Sequence, residues 1–162
     1  MTLSLIAAIG NNGVIGKNNE LPWNMPNDMK FFMQKTKGHH VIMGRRNFES
    51  LDKNPLPRRT NIIITRKTDY EAPGGIVVHS LEEAINQVKD DEEPFIIGGA
   101  EIYRQALTQI DRMYITRIYG DFDGDTFFPE VDFTRWKLVH QEEHQPDEKN
   151  PYPYTFFIFD KI

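Results

Sequence analysis

The chain has 162 residues, 39% of them hydrophobic and 27% charged, which suits one soluble globular domain with a sizeable core. It has no cysteine, so disulfides, thiolate-held zinc and thiol catalysis are excluded. Lys and Arg number 19 against 24 Asp and Glu, a net charge of −5 that argues against a nucleic-acid binder.

A strand is predicted over residues 3–9. Gly10-Asn11-Asn12-Gly13-Val14-Ile15-Gly16 follows as a glycine-rich segment, either a flexible surface loop or a lid over a site. It is no Walker A loop, because Gly16-Lys17 leads to Asn18 rather than Ser or Thr. Next comes Leu21-Pro22-Trp23-Asn24-Met25-Pro26-Asn27-Asp28, with Phe31 and Phe32 just beyond. Pro26 fits a first turn, which predicts a helix over 27–37 with Asp28 near its start. Phe31 and Phe32 fall over the same face as Asp28. A carboxylate on an apolar face needs a partner or a shifted pKa, which makes Asp28 the first candidate to grip a polar, planar ligand.

Further along, a strand over 41–43 runs into Gly44-Arg45-Arg46-Asn47 and a short helix over 47–51. Arg45, Arg46, Arg58, Arg59 and Arg66 all fall in this stretch, beside turn and strand-end signals that suit an anionic ligand. Strands at 61–65 and 76–79 are separated by Pro73-Gly74-Gly75, and Ser80 with Glu83 forms a capping box for a helix over 81–89. A strand over 95–97 meets Gly98-Gly99 and a helix over 100–107, a turn in which backbone can approach a phosphate. Strands follow at 113–118, 136–140 and 155–160, the last two without an intervening helix and hence an antiparallel hairpin at one edge. Asp121, Asp123 and Asp125 do not make a calcium loop, since Gly124 lies at the fourth position and not the sixth. The histidines have no metal-ligand spacing and GxSxG is absent, so neither a metal nor acyl-transfer chemistry is expected. Residues 1–20 show no signal-peptide pattern and no run is long and apolar enough to span a bilayer, so a cytoplasmic protein without membrane association is expected.

Several of these segments together resemble the dihydrofolate reductase family over essentially the whole chain. The resemblance is carried by Ala7-Ala8, Val14-Ile15-Gly16, Leu21-Pro22-Trp23, Asp28 with Phe32, and Val41-Ile42-Met43-Gly44-Arg45. It continues through Pro55-Leu56-Pro57 with Arg59, Asn61-Ile62-Ile63, Ile97-Gly98-Gly99 with Ile102-Tyr103, Tyr114-Ile115-Thr116, and Gly124-Asp125-Thr126-Phe127-Phe128-Pro129. It implies a single α/β domain over 1–162: a mixed, mainly parallel eight-stranded sheet with a C-terminal antiparallel hairpin, flanked by four helices. It also implies the NADPH-dependent reduction of 7,8-dihydrofolate to tetrahydrofolate, which supplies one-carbon metabolism and thymidylate synthesis. Two other readings are a related pterin or pyrimidine reductase and a non-catalytic NADPH-binding module.

By the same resemblance Asp28 holds the N3 and 2-amino edge of the pterin, supported by Thr116. Ile6, Ala7, Phe32 and Ile97 wall the pterin, Leu51 packs on the benzoyl group, and Arg59, with Lys53 nearby, takes the glutamate tail. Leu21 and Trp23 form the hinge end of a lid. Ala8 with the lid residues Val14, Ile15, Gly16, Lys17, Asn18, Asn19 and Glu20 covers the nicotinamide. A cis Gly98–Gly99 peptide and Ala100, Glu101, Ile102 and Tyr103 hold the diphosphate. Gly44, Arg45, Arg46, Asn47, Thr65, Arg66, His79 and Thr126 complete the cofactor set. An arginine near the 2′-phosphate favours NADP over NAD. Antifolate-type small molecules are implied as further ligands, and a monomer as the usual form. The chain departs from the family pattern at Asn47, where Thr or Ser is usual, at Asp52-Lys53-Asn54, and at Arg58 in place of a frequent glycine.

Overall fold

A computed structural model describes all residues, 1–162. The strands are β1 (Ser4–Ile9), β2 (Val14–Gly16), β3 (His40–Gly44), β4 (Thr60–Ile64), β5 (Ile76–Val78), β6 (Phe95–Gly98), β7 (Arg112–Ile118), β8 (Thr126–Phe127), β9 (Trp136–His144) and β10 (Tyr154–Lys161). The helices are α1 (Pro26–Thr36), α2 (Arg45–Ser50), α3 (Leu81–Gln87) and α4 (Ala100–Ala106). Eight strands form one sheet in the order β5-β4-β3-β6-β1-β7-β10-β9. The first six of these run parallel, and β10 and β9 complete the sheet antiparallel. The expected architecture is therefore observed.

Strand alternation sorts the core into two layers. Leu5, Ala7, Ile42, Ile62, Ile96, Met113 and Ile115 face α3 and α4, where they meet Leu81, Ala84, Ile102 and Ala106. Ile6, Val41, Met43, Ile63, Phe95 and Tyr114 face the other way, with Phe48 of α2 and Phe31 and Phe32 of α1. Because both faces are covered, the central strands read as continuous apolar runs.

Two features depart from the sequence reading. The glycine-rich segment is not wholly a loop: Val14–Gly16 pairs antiparallel with Thr126–Phe127 in a separate ribbon, and Val14 is fully buried. The edge strand β9 runs to His144, four residues beyond the expected end at 140, although Gln141, Glu142 and Glu143 are exposed. Its pairing with β10 imposes the extended backbone. The remaining boundaries shift by one or two residues; α2 opens at Arg45, directly after the extended Gly44, and α3 stops at Gln87.

Helix α1 begins at Pro26, as the proline demands, with no cap from its own flank. The cap comes from far along the chain: the Asn150 side-chain carbonyl accepts from Asn27 N–H at 2.9 Å, and Asn27 Nδ2 donates to the Tyr154 hydroxyl at 2.8 Å. This fixes the first turn of α1, and with it Asp28, against the C-terminal hairpin.

Candidate active site

A single cavity of about 1790 Å³ opens along the carboxyl ends of β1, β3, β4 and β6. At one end it reaches α1 and is lined by Ile6, Ala7, Asp28, Phe32, Leu51 and Ile97. At the other it reaches the segments after β3, β4 and β5, with Arg45, Arg46, Thr65, Arg66, Lys67 and His79. Between them lie Ala8, Ile15, Leu21, Gly99, Tyr103 and Thr126.

Asp28 is the only buried carboxylate lining the cavity and is 9% exposed. Burial among apolar groups raises its pKa from 3.8 to about 6, and a hydrogen bond offered by the Thr116 side chain pulls it partly back. Burial thus outweighs the hydroxyl, a balance the sequence leaves open. Thr116 is itself buried and lies on β7 beside Ala8 of β1. The two phenylalanines of α1 diverge. Phe32 lines the cavity, whereas Phe31 stacks on Phe156 at 4.1 Å between ring centres and belongs to the core.

Above Asp28 two backbone carbonyls converge on Tyr103. Its buried hydroxyl lies 2.8 Å from Ile6 O and 2.9 Å from Ile97 O. The peptide Gly98–Gly99 just beyond is cis. Gly98 has φ +111°, and a Cβ there would come within 3.0 Å of the Tyr103 ring, so only glycine fits.

The far end is cationic and open. Arg46, Arg66 and Lys67 are exposed, and Arg45 bonds Glu49 at 3.0 Å. His79 is held through Nδ1, 2.9 Å from Thr65 O. The Asn47 amide donates to Ile97 O at 3.2 Å, so the residue that departs from the family pattern touches both the cavity and a carbonyl of its far wall.

Lys17, Asn18, Asn19 and Glu20 form a tight hairpin closed by Lys17 N–H to Glu20 O and Glu20 N–H to Lys17 O, at 2.8 and 2.9 Å. Asn18 and Asn19 take φ 51° and 63°, a left-handed pair that asparagine tolerates. Asn18 N–H donates to Asp125 at 3.0 Å, and Lys17 pairs with Asp123. Two of the turn acids are therefore engaged in tethering this hairpin.

Arg59 lies behind the wall rather than on it. Its Nε donates to Thr36 Oγ1 at 2.8 Å, Nη1 to Pro57 O at 2.5 Å and Nη2 to Met33 O at 2.6 Å. Each terminal nitrogen keeps one N–H free. Burial, followed by the neighbouring Arg58 charge, lowers its pKa from the usual value.

Of the residues singled out from the sequence, Val14, Lys17, Asn18, Trp23, Gly98 and Thr116 also stand off the main wall. Asn18 instead borders an adjoining polar cleft with Asn19, Glu20, Arg45 and Arg46. Trp23 is buried edge-on against Phe122 at 4.9 Å, with no partner for its Nε1. It is a core anchor; of the two residues, Leu21, 48% exposed, is the one that reaches the cavity. The residues 29 and 33 of α1, both Met, and Pro57, Lys67 and Ser80 also line it and were not singled out. Helical spacing could have found the two methionines, since Met29 lies three residues before Phe32 and Met33 four after Met29.

The model of the family described as dihydrofolate reductase matches residues 2–161. The chain belongs to the dihydrofolate reductase family. It is 46% identical to the dihydrofolate reductase of Bacillus subtilis over 159 residues, 98% of this chain and 94% of that one. Against the Haemophilus influenzae dihydrofolate reductase it is 45% identical over 158 residues, 98% of each chain. A solved Enterococcus faecalis dihydrofolate reductase, complexed with NADP(H) and RAB-propyl, superposes with a TM-score of 0.94 at 39% identity, covering 99% of this chain and 96% of that one. No helix is long and apolar enough to cross a membrane.

Proposed function

We propose that this cleft reduces 7,8-dihydrofolate to 5,6,7,8-tetrahydrofolate with NADPH. The observation that carries the reading is the pairing, within one cavity, of a lone buried carboxylate and an open cationic end. The donor set fits NADPH. Arg45, Arg46, Arg66 and Lys67 offer charge for three phosphates, and Gly99, which has nothing within 4 Å of a hypothetical Cβ, leaves room for backbone to approach one closely. When bound, NADPH supplies the hydride that reduces C6 of the pterin.

The chain's own residues do the rest. Asp28 accepts from the pterin's N3 and 2-amino groups as a bidentate, charge-assisted pair, and so orients the ring and polarises it. Its pKa of about 6 leaves it mostly ionised at neutral pH. No side chain is assigned to N5, which takes its proton from water. Leu21 and the hairpin that follows Gly16 close over the nicotinamide and limit the entry of bulk water. The two free N–H groups of Arg59, one on each terminal nitrogen, suit a carboxylate. The prearranged fork supports a substrate with a glutamate tail over a bare pterin or pyrimidine. The carboxylate buried opposite supports an enzyme over a binding module.

Oxidation of NADPH, followed at its absorbance band with and without dihydrofolate, tests the assignment. Strict dependence on dihydrofolate is expected; equal turnover of an unconjugated dihydropterin would transfer the assignment to a related reductase. The protein is proposed to act as a monomer in the cytoplasm, and to accept antifolate-type molecules at the Asp28 end.

A further inference from the structure

Tyr103 has one hydroxyl proton and two carbonyls within reach, Ile6 O at 2.8 Å and Ile97 O at 2.9 Å. All three residues are buried, so a carbonyl left without a donor would be costly. Asn47 resolves the shortage. Its Nδ2 lies 3.2 Å from Ile97 O, and only the amide nitrogen can face a carbonyl, which fixes the orientation of the side chain. Ile97 then has a donor of its own, and the Tyr103 proton is free for Ile6.

We infer that Asn47 is a positioning residue that couples the two ends of the cleft through the Ile97 carbonyl. The inference rests on the assignment of those ends to pterin and cofactor given above. Asn47 stands in the first turn of α2, beside Arg45 and Arg46 at the cationic end. Ile97 walls the Asp28 end, and its carbonyl belongs to the peptide that leads into Gly98. Ligand contact that shifts α2 lengthens or shortens the Asn47 bond. The Tyr103 proton then redistributes between Ile97 and Ile6, whose side chain lines the same pterin end. The family's usual Thr or Ser is a shorter donor, so this chain reaches across a gap that those side chains span less well.

The test measures dihydrofolate affinity with and without saturating NADP+, which cannot deliver a hydride. Asn47→Ala is expected to shrink the factor by which NADP+ changes dihydrofolate affinity, by about three- to tenfold, as for one lost hydrogen bond. Dihydrofolate affinity without cofactor should change less. The carbonyl 13C resonance of Ile97 should move in Asn47→Ala even without ligands, a signature that loss of NADP+ contacts alone would not give. Asn47→Thr, which keeps a donor, should fall between wild type and Asn47→Ala in both readouts, and serves if the alanine variant folds poorly. An unchanged coupling factor or an unmoved Ile97 resonance would overturn the inference while leaving the enzyme assignment intact. A wild-type protein that bound neither dihydrofolate nor NADP+ would sink both.

Discussion

At the proposed pterin end of the cleft one carboxylate is buried, 9% exposed, while its charged neighbours Asp52 and Lys53 lie in solvent; at the proposed cofactor end three of the four cations are exposed to water. The same kind of interaction, charge against ligand, is thus used in two regimes. Asp28 is costly to bury, and its pKa of about 6 records that cost. Arg46, Arg66 and Lys67 cost little to leave in solvent, and each contributes little alone because water and salt screen it. On the proposed assignment, specificity for the pterin hangs on one group, whereas recognition of the phosphates is shared among several.

The largest effect that would test this contrast is at Asp28. Asp28→Asn should lower turnover at neutral pH by roughly 10²- to 10⁴-fold, with NADPH affinity nearly unchanged, as read by steady-state kinetics and a cofactor titration. Near-normal turnover would remove the electrostatic role. The same variant should be more stable than the parent without ligands. The native pKa of Asp28 is raised, so its contribution to stability is fully present below about pH 4 and is lost as pH rises through about 6. At pH 8 the ionised group costs up to about 3 kcal/mol. In urea unfolding the gap between the two proteins should be smallest near pH 4, open as pH rises towards 6 and stay level above it; a gap independent of pH would mean that Asp28 is not buried at this cost.

Arg59→Ala comes next. With three of its hydrogen bonds already committed to the protein, the side chain is held for its ligand, and its loss should raise KM for dihydrofolate about tenfold or more, with kcat little changed. An unaltered KM would put the tail contact elsewhere. Arg66→Ala should have the smallest effect, narrowing the preference for NADPH over NADH by about two- to fivefold and less at high salt. A loss as large as that at Asp28 would mean that phosphate recognition is not shared.

The sequence was legible where a short-range rule applied. Pro26 marks the start of α1 and Ser80 with Glu83 marks α3, whose cap bond is observed at 3.0 Å. The apolar runs of β1, β3, β4 and β6 declare strands covered on both faces. It was not legible where a distant partner decides. The cap of α1 comes from Asn150, and the β2–β8 ribbon joins residues more than a hundred positions apart. The far half of β9 is a polar stretch made extended by β10. The site follows the same division. Asp28 and Phe32 are visible from helical spacing, but the divergence of Phe31 toward Phe156 and the burial of Trp23 on Phe122 depend on contacts from late in the chain. The carbonyls of Met33 and Pro57 that fix Arg59 are hidden for a different reason, since backbone acceptors carry no residue-type signal.

The sheet order also bears on how the chain is made. β1 is synthesised before the other strands of the sheet yet lies between β6 and β7, with Ser4 paired to Phe95 on one side and Arg112 on the other. Its hydrogen-bonding edges have no native partner until more than half the chain has been synthesised. Such a topology is dominated by non-local contacts and belongs among slower folders. The exposed interval is a stage at which a nascent chain is prone to pair with another copy or to call on a chaperone.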